Sequence, residues 1–302
     1  TLGLVEPYLE VLHREITDAA RMVQETGLHI KSFYMGGGTP TTLSTDQMDR
    51  LLTHLNHSFD LSDCFEYCIE AGRPDTIDRE KLQVLLDHGV DRISVNPQSL
   101  EDHVLTAIGR RHTARDVEEA MALATGMGFP HVNMDLIAGL PADTPEGFRK
   151  TLDQCIKSGA DNITVHTLAL KKGSRILTEG LSIPDGDAVQ AMLDYAAPTL
   201  RRAGFAPYYL YRQKYMSGSF ENVGWCKIGY ECKYNVYMME ELQTIVSLGA
   251  GGVTKLLGAD GRKIRRISNP KYPYEYNVSL QRINAGKQEI LNWAQSSTAL
   301  PD

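Results

Sequence analysis

Three consecutive glycines, Gly36 to Gly38, follow the apolar stretch SFYM and precede Thr39 and Pro40. Glycine has no side chain, so it lets a ligand approach the backbone and leaves N–H and C=O groups free to bind it. The alternative is a tight turn that requires a positive φ angle. A turn alone does not need three glycines in succession, so we expect a ligand site.

Polar residues also stand where other predicted strands end. They are Glu70, Gln98, Asp135 and the segment His166–Ala169. In parallel α/β folds, chemistry gathers at the edge where the carboxyl ends of the strands meet. Asp135 lies within the apolar run VNMDLIAGL, where a charge needs a partner. We therefore expect these residues to share one site with the glycine run.

Strands and helices alternate along most of the chain. Apolar runs predict strands at 28–36, 63–72, 90–99, 131–141 and 160–170. Amphipathic patterns and caps predict helices at 5–23, 44–59, 78–89, 101–109, 113–128, 144–159 and 185–204. This rhythm is typical of a parallel sheet or barrel with right-handed crossovers.

Composition excludes several classes of protein. The chain has 302 residues, 42% of them hydrophobic and 23% charged, and a net charge of −7. This balance argues against a nucleic-acid platform, and no apolar stretch is long enough for a membrane helix. Five scattered cysteines and the lack of a signal peptide favour a reduced, cytoplasmic protein.

The first helix begins almost at residue 1, without an initiator Met or a preceding strand. A barrel domain that starts on its first helix lacks the strand before it. We therefore expect this chain to be a piece of a longer protein.

Several motifs together carry a family resemblance. They are MGGGTPTTLS, EAGRPDT, RISVNPQSL, GRRHT and NMDLIAGLPADTPEGF. In this order the chain resembles the oxygen-independent coproporphyrinogen III oxidase family of radical S-adenosylmethionine (SAM) proteins. EAGRPDTI and YNVYMMEELQTIVSLGAGGVTK are most similar to its coproporphyrinogen dehydrogenase branch. The resemblance implies an α/β fold: a partial (β/α)6 TIM-type barrel over 1–203, without its first strand, and a small α+β substrate-covering domain over 204–302.

The resemblance also implies a SAM site. Backbone groups of Gly37, Gly38 and Thr39 would meet the amino end of SAM, with Glu70 beside it, since a carboxylate suits an ammonium group. Arg110 would pair with the SAM carboxylate through its planar guanidinium group.

The same resemblance assigns the rest of SAM to three other positions. Gln98 and Asp135 would hydrogen-bond the ribose hydroxyls, and the backbone of Ala169 would contact the adenine. An anionic group, a cationic group, a diol and a flat ring would then each find a suitable partner along the strand ends.

Other roles remain open for some of these residues. Glu70 could cap the RPDT turn, Gln98 could be a turn residue after proline, and Arg110 could be an exposed helix-end cation whose neighbour Arg111 is the true partner.

The family holds a four-iron, four-sulfur cluster through C-x3-C-x2-C, and this sequence lacks such a run. Cys64 and Cys68 have the first spacing, but we expect them to be thiols packed on one face of a strand. Cys226 and Cys232 could bind a metal, but two thiols at that spacing are weak evidence. We expect the cluster ligands upstream of Thr1.

Beyond Gly204 the predicted strands and helices no longer alternate, and the chain becomes rich in Tyr and basic residues. The residues that would suit a tetrapyrrole with propionates are Tyr208, Tyr209, Tyr211, Tyr215, Tyr230, Arg212, Lys214 and Lys255. An ordinary aromatic core would look the same.

The resemblance implies an enzyme that cleaves SAM and converts coproporphyrinogen III propionates to vinyl groups, giving protoporphyrinogen IX. Its partners would be the porphyrinogen and an electron donor, without nucleic acid or a membrane span. Two alternatives remain: a heme-binding chaperone of the same family, although YNVYMM departs from its His-Asn-x-x-Tyr-Trp motif, or a piece that is inactive alone.

Overall fold

The computed structural model describes residues 2–170, 175–212, 220–258, 261 and 263–298. The strands are β1 (Phe33–Met35), β2 (Tyr67–Gly72), β3 (Arg92–Val95), β4 (His131–Ala138), β5 (Asn162–Thr167), β6 (Phe205–Tyr211), β7 (Asn222–Lys227), β8 (Val253–Leu257) and β9 (Ile264–Ser268). The helices are α1 (Val5–Thr26), α2 (Thr45–Ser58), α3 (Arg79–Asp87), α4 (Asp102–Ala107), α5 (Ala114–Gly126), α6 (Pro145–Lys157), α7 (Arg175–Thr178), α8 (Gly186–Arg202), α9 (Lys233–Glu240), α10 (Pro273–Asn277) and α11 (Leu280–Thr298).

A seven-stranded sheet forms the centre of one compact unit, which comprises residues 33–45 and 66–239. Its strand order is β1-β2-β3-β4-β5-β7-β6. Strands β1 to β5 are parallel neighbours in chain order, which confirms the predicted alternation of strand and helix. Helices α5, α6 and α8 pack against β3 and β4.

The two faces of this sheet differ in chemistry. On β4, Val132, Met134, Leu136 and Ala138 are buried, while the alternate residues from His131 to Ile137 are partly exposed. Because paired residues of neighbouring strands point to the same side, the strand register extends this division across the sheet. One face is apolar, and we call the other the inner face. Its residues include Tyr34, Cys68, Glu70, Arg92, Ser94, Asn133, Asp135, Thr164, His166 and Tyr209.

Strands are shorter than predicted, and this corrects the position of Cys64. It was expected in the strand with Cys68, but it precedes β2 and lies in a turn. The turn is closed by Asp60, which accepts a hydrogen bond from the N–H of Ser62, and by the bond from the N–H of Cys64 to the carbonyl of Leu61. The two thiols therefore do not share a strand face.

After residue 203 the sheet continues with two antiparallel strands. Strand β7 pairs with β5, and β6 pairs with β7 around a bulge between Pro207 and Tyr209. Gly224 admits the ring of Tyr209, since a Cβ at position 224 would lie 1.9 Å from it. Strands from both sides of the predicted boundary thus share one sheet. The division into domains 1–203 and 204–302 remains a proposal.

A second compact unit combines residues 1–32, 46–65 and 240–302. Helix α1 packs against α10 and α11, and β8 pairs with β9 in a hairpin. At its centre the fully buried Glu15 forms an ion pair with Lys287, at 2.6 Å between Oε1 and Nζ. Glu15 also accepts hydrogen bonds from the Tyr276 hydroxyl, the Asn269 amide and the Gly249 N–H. None of the described helices is both long enough and apolar enough to cross a membrane.

Candidate functional site

Each glycine of the run has its own structural reason. A Cβ at Gly36 would lie 2.6 Å from Cε1 of Tyr34 and 2.8 Å from Oε1 of Glu70, so no side chain fits there. Gly37 has a φ angle of 106°, which side chains rarely tolerate. A Cβ at Gly38 would meet nothing within 4 Å, and its backbone is not in the positive-φ region. Only Gly38 lacks a local structural requirement, which agrees with open space for a ligand.

Glu70 lies on β2 beside the glycine run. Its carboxylate accepts hydrogen bonds from the hydroxyl of Tyr34 and from the backbone N–H of Gly37. Burial raises the pKa of Glu70, the charge of Asp135 adds to the rise, and the two hydrogen bonds oppose it. The structure therefore brings Glu70, Asp135 and the glycine run together. It offers no support for Glu70 as a cap of the RPDT turn, because its hydrogen bonds lead elsewhere.

Asp135 has a partner on the next strand. Nε2 of His166, on β5, lies 3.8 Å from Oδ2 of Asp135, and both side chains are about one quarter exposed, at 24% and 29%. The other imidazole nitrogen, Nδ1, is 3.1 Å from the hydroxyl of Tyr211. His166 was noted at a strand end but not assigned a role. Its place beside Asp135 follows from the register of β4 and β5, which the sequence did not give.

Gln98 follows β3 and forms an isolated parallel bridge with Leu136 of β4, with a φ angle of 69°. Its N–H donates to the carbonyl of Asp135, and its carbonyl accepts from the N–H of Ile137, both at 3.0 Å. These two bonds are those of a strand bridge and not of a turn, and they place the backbone of Gln98 next to Asp135. The ribose role of the Gln98 side chain remains a proposal.

Arg110 stands after α4, half-buried, whereas Arg111 is exposed. Burial lowers the pKa of Arg110, and the positive charge of Arg73 acts in the same direction. Asp75 is held by Arg73 through two hydrogen bonds of 3.0 and 2.5 Å. Among the described residues Arg110 forms no ion pair, so its guanidinium group is available to an external carboxylate.

Thr39 and Ala169 are the two remaining residues of the predicted SAM site. Thr39 begins a single helical turn, and its carbonyl accepts the N–H of Thr42 at 2.9 Å. Its methyl group lies close to Gly72 at the end of β2, 3.1 Å from a Cβ built there. Ala169 follows β5, directly before residues that lie outside the described part of the chain. Its predicted contact with adenine is untested.

Helix α9 lies beside the inner face and carries the motif YNVYMM. Glu66 accepts hydrogen bonds from the N–H groups of Lys233 and Tyr234, at 2.8 and 2.9 Å. The same carboxylate pairs with the buried Arg92, at 3.4 Å between Oε2 and Nε. The ring of Tyr234 stacks on Tyr34, with centroids 3.9 Å apart and planes 8° from parallel.

The predicted tetrapyrrole contacts divide between the two units. Tyr208, Tyr209 and Tyr211 form an aromatic group on β6. Arg212 is paired with Glu221 at 2.9 Å. Lys255 belongs to the other unit and pairs there with Glu241. Lys214 and Tyr215 lie outside the described residues, and Tyr230 is partly exposed on a turn.

The cysteines do not fit an iron–sulfur cluster. Cys68 and Cys232 are buried and in contact with each other. Cys155 and Cys226 are buried as well, and burial raises the pKa of the Cys226 thiol to about 12. No group of three or more His, Cys, Asp or Glu side chains suited to a metal occurs in the described ranges. These residues therefore do not supply the ligands of a cluster.

Comparison with known proteins shows the family. Residues 5–155 match the family model of the Radical SAM superfamily. The chain belongs to the radical SAM superfamily. This superfamily uses SAM and a four-iron, four-sulfur cluster, so the expected cofactors are those of the family. The described residues fit SAM and do not fit the cluster.

Two relatives and one solved structure are similar to most of the chain. The chain is 40% identical to the oxygen-independent coproporphyrinogen-III oxidase-like protein HemZ of Bacillus subtilis, over 96% of this chain and 58% of that protein. It is 28% identical to the heme chaperone HemW of Haemophilus influenzae, over 89% of this chain and 66% of that protein. The radical SAM enzyme coproporphyrinogen III oxidase (HemN) of Escherichia coli superposes with a TM-score of 0.75 at 21% identity, over 94% of this chain and 64% of that one.

These comparisons confirm the family resemblance and the fold of a partial TIM-type radical SAM barrel. The chain spans about three fifths of the length of the HemZ protein it matches. The activity of the whole protein, its substrate and its partners are therefore matters for proposal.

Proposed function

We propose that the protein binds SAM at the edge formed by the glycine run, Glu70 and Asp135. The observation that carries this is the convergence of two carboxylates, both partly accessible, on an open stretch of backbone. SAM carries an ammonium and a sulfonium group, so a site with two carboxylates complements its charge. It also carries one carboxylate, for which Arg110 is the available partner.

In this arrangement each residue has one task. Glu70 and the backbone of Gly37, Gly38 and Thr39 hold the amino end of SAM. The side chains of Gln98 and Asp135 hold the ribose, and the backbone of Ala169 contacts the adenine. A bound ammonium next to Glu70 would offset the desolvation that raises its pKa, so binding should favour the ionised carboxylate.

We infer that the reaction is the oxidative decarboxylation of coproporphyrinogen III. SAM, when bound and reduced by one electron, supplies the group that abstracts a hydrogen atom. Each of the two reacting propionates then loses that hydrogen atom, carbon dioxide and one electron, which passes to an acceptor, and a vinyl group remains. Two such rounds give protoporphyrinogen IX. The name of the HemZ relative and the Tyr-rich β6 beside the inner face support this substrate.

The second candidate is a heme chaperone, because HemW relatives match over most of the chain. Against it, Tyr234, the first residue of YNVYMM, stands where the chaperone motif His-Asn-x-x-Tyr-Trp has its histidine, and its ring is stacked on Tyr34. We also propose a cytoplasmic location, an electron donor as partner and no nucleic-acid partner, in keeping with the composition and a net charge of −7.

The test uses the full-length protein, reconstituted anaerobically with iron and sulfide. It is incubated with SAM, a strong reductant and coproporphyrinogen III, and the porphyrins are separated by chromatography after oxidation. We expect protoporphyrin IX together with 5′-deoxyadenosine. Unchanged coproporphyrin with stoichiometric heme binding would favour the chaperone, and absence of SAM binding would refute the SAM site itself.

A further inference from the structure

The carboxylate of Glu70 is held by a tyrosine that the family motif does not explain. Tyr34 stands two residues before the glycine run and donates its hydroxyl hydrogen bond to Glu70. Gly36 lies where the side chains of Tyr34 and Glu70 meet, and a Cβ at position 36 would collide with both. The first glycine of the run is therefore explained by this contact and not by the ligand.

We propose that Tyr34 is a positioning residue that keeps Glu70 aligned and ionised for the amino group of SAM and links it to helix α9. This inference rests on the proposed SAM site. It adds a residue to that site and a connection from the site to the segment that carries YNVYMM.

The electrostatic surroundings explain why Glu70 needs a donor. The titratable groups around it are Asp135 on β4, Tyr34 on β1 and Tyr234 on α9, with Cys68 on its own strand. Asp135 is negative, and none of the others supplies a positive charge. Two carboxylates in a partly buried place tend to take up a proton. Hydrogen bonds from Tyr34 and Gly37 favour the ionised form, which is the form an ammonium group requires.

The connection to α9 follows from two further contacts. The ring of Tyr34 is covered by Tyr234, 3.9 Å away and nearly parallel. The backbone of Tyr234 is fixed by Glu66, which is itself paired with the buried Arg92. A displacement of the first turn of α9 would therefore remove the support of the Tyr34 ring, and with it the alignment of the hydroxyl toward Glu70.

The main experiment compares Tyr34→Phe with the wild type in SAM binding by isothermal titration at pH 6.5, 7.5 and 8.5. The variant keeps the ring and the stack but removes the donor. We expect Tyr34→Phe to bind SAM about tenfold more weakly than the wild type at pH 6.5 and nearly as tightly as the wild type at pH 8.5. The reason is that Glu70 without its donor ionises at higher pH. Titrations in buffers of different ionisation enthalpy should show extra proton release on binding.

The controls separate this inference from the proposed function. Tyr195→Phe removes another tyrosine–carboxylate bond, to Asp153 at 2.9 Å, and should leave SAM affinity unchanged. Glu70→Gln should weaken SAM binding equally at all three pH values, and adding Tyr34→Phe to it should have no further effect. If Glu70→Gln binds SAM like the wild type, the proposed role of Glu70 fails.

Two results would overturn the role of Tyr34 while leaving that of Glu70 intact. One is Tyr34→Phe with wild-type affinity, and the other is a loss that is the same at every pH, which would show a structural role only. The link to α9 is tested by Tyr234→Phe, which should bind normally, and Tyr234→Ala, which should bind SAM more weakly. Normal binding by Tyr234→Ala would refute the link.

Discussion

His166 and Asp135 lie diagonally across neighbouring strands, with 3.8 Å between the imidazole Nε2 and the carboxylate Oδ2. This distance is compatible with an ion pair but too long for a direct hydrogen bond. Asp135 thus lies beside an imidazole and still has acceptor capacity for a ligand. A carboxylate that served only the fold would be expected to make its hydrogen bonds within the protein.

We predict that Asp135→Asn weakens SAM binding about tenfold without loss of fold, since hydrogen bonds to a charged acceptor contribute roughly 1.5–3 kcal/mol. Asparagine keeps the size and one acceptor oxygen while the charge is removed. Isothermal titration with SAM and a melting curve without it measure the two effects. Wild-type affinity with a lowered melting temperature would show that Asp135 is structural and would weaken the ribose assignment of Gln98.

The three glycines should respond differently to alanine. Gly37→Ala should destabilise the fold by about 1–3 kcal/mol, because its φ of 106° is unfavourable for a side chain. Gly38→Ala should leave stability unchanged but weaken SAM binding, because its methyl group enters open space beside the backbone. Denaturant unfolding and SAM titration of both variants distinguish these effects. Full SAM affinity in Gly38→Ala would contradict close backbone approach at that position.

Asp143, before α6, should make stability depend on pH. Burial raises its pKa from 3.8 to about 6, against the hydrogen bond from the Thr144 N–H, and the charge of Glu101 adds to the rise. The folded state then binds the proton more tightly than the unfolded state, so stability falls as pH rises from about 4 to about 6. Asp143→Asn should therefore be more stable above pH 6, by at most about 3 kcal/mol, and equal to the wild type near pH 4.

Chemical unfolding at several pH values tests this, with Asp87→Asn, at an exposed aspartate, as the control. A constant difference between Asp143→Asn and the wild type across the pH range would show that the ionisation of Asp143 is not involved.

The buried pair of Glu15 and Lys287 should matter more than an exposed pair. Glu15→Gln leaves the Lys287 ammonium buried without a counter-charge, so we expect a loss of about 3–5 kcal/mol. Glu6 pairs with Arg50 at 3.0 Å on the surface, where solvent screens the charges, so Glu6→Gln should cost far less stability than Glu15→Gln. Denaturant unfolding compares them. If the double variant Glu15→Gln with Lys287→Met regains part of the lost free energy of unfolding, the loss is due to the unpaired charge. Equal losses of stability in Glu15→Gln and Glu6→Gln would contradict this explanation.

The sequence predicted the parallel part of the sheet because alternating apolar runs and capped helices are local patterns. It also placed Glu70 and Asp135 near each other, since both follow the rule that strand ends meet at one edge. It did not predict that β6 and β7 extend the sheet in the opposite direction, because antiparallel pairing to β5 is a long-range choice with no local signal. The contacts of Tyr34 and His166 were missed for the same reason: they depend on strand register.

The collision at Gly36 also constrains the order in which mutations can accumulate. An alanine at position 36 is excluded as long as Tyr34 and Glu70 meet there. The contact between Tyr34 and Glu70 would have to change first, and loss of the Tyr34 hydroxyl would remove the donor to Glu70. Positions 34 and 36 are thus epistatically coupled. A lineage can lose the glycine only after the contact between Tyr34 and Glu70 has changed, and restoring that contact later requires the glycine to return before it.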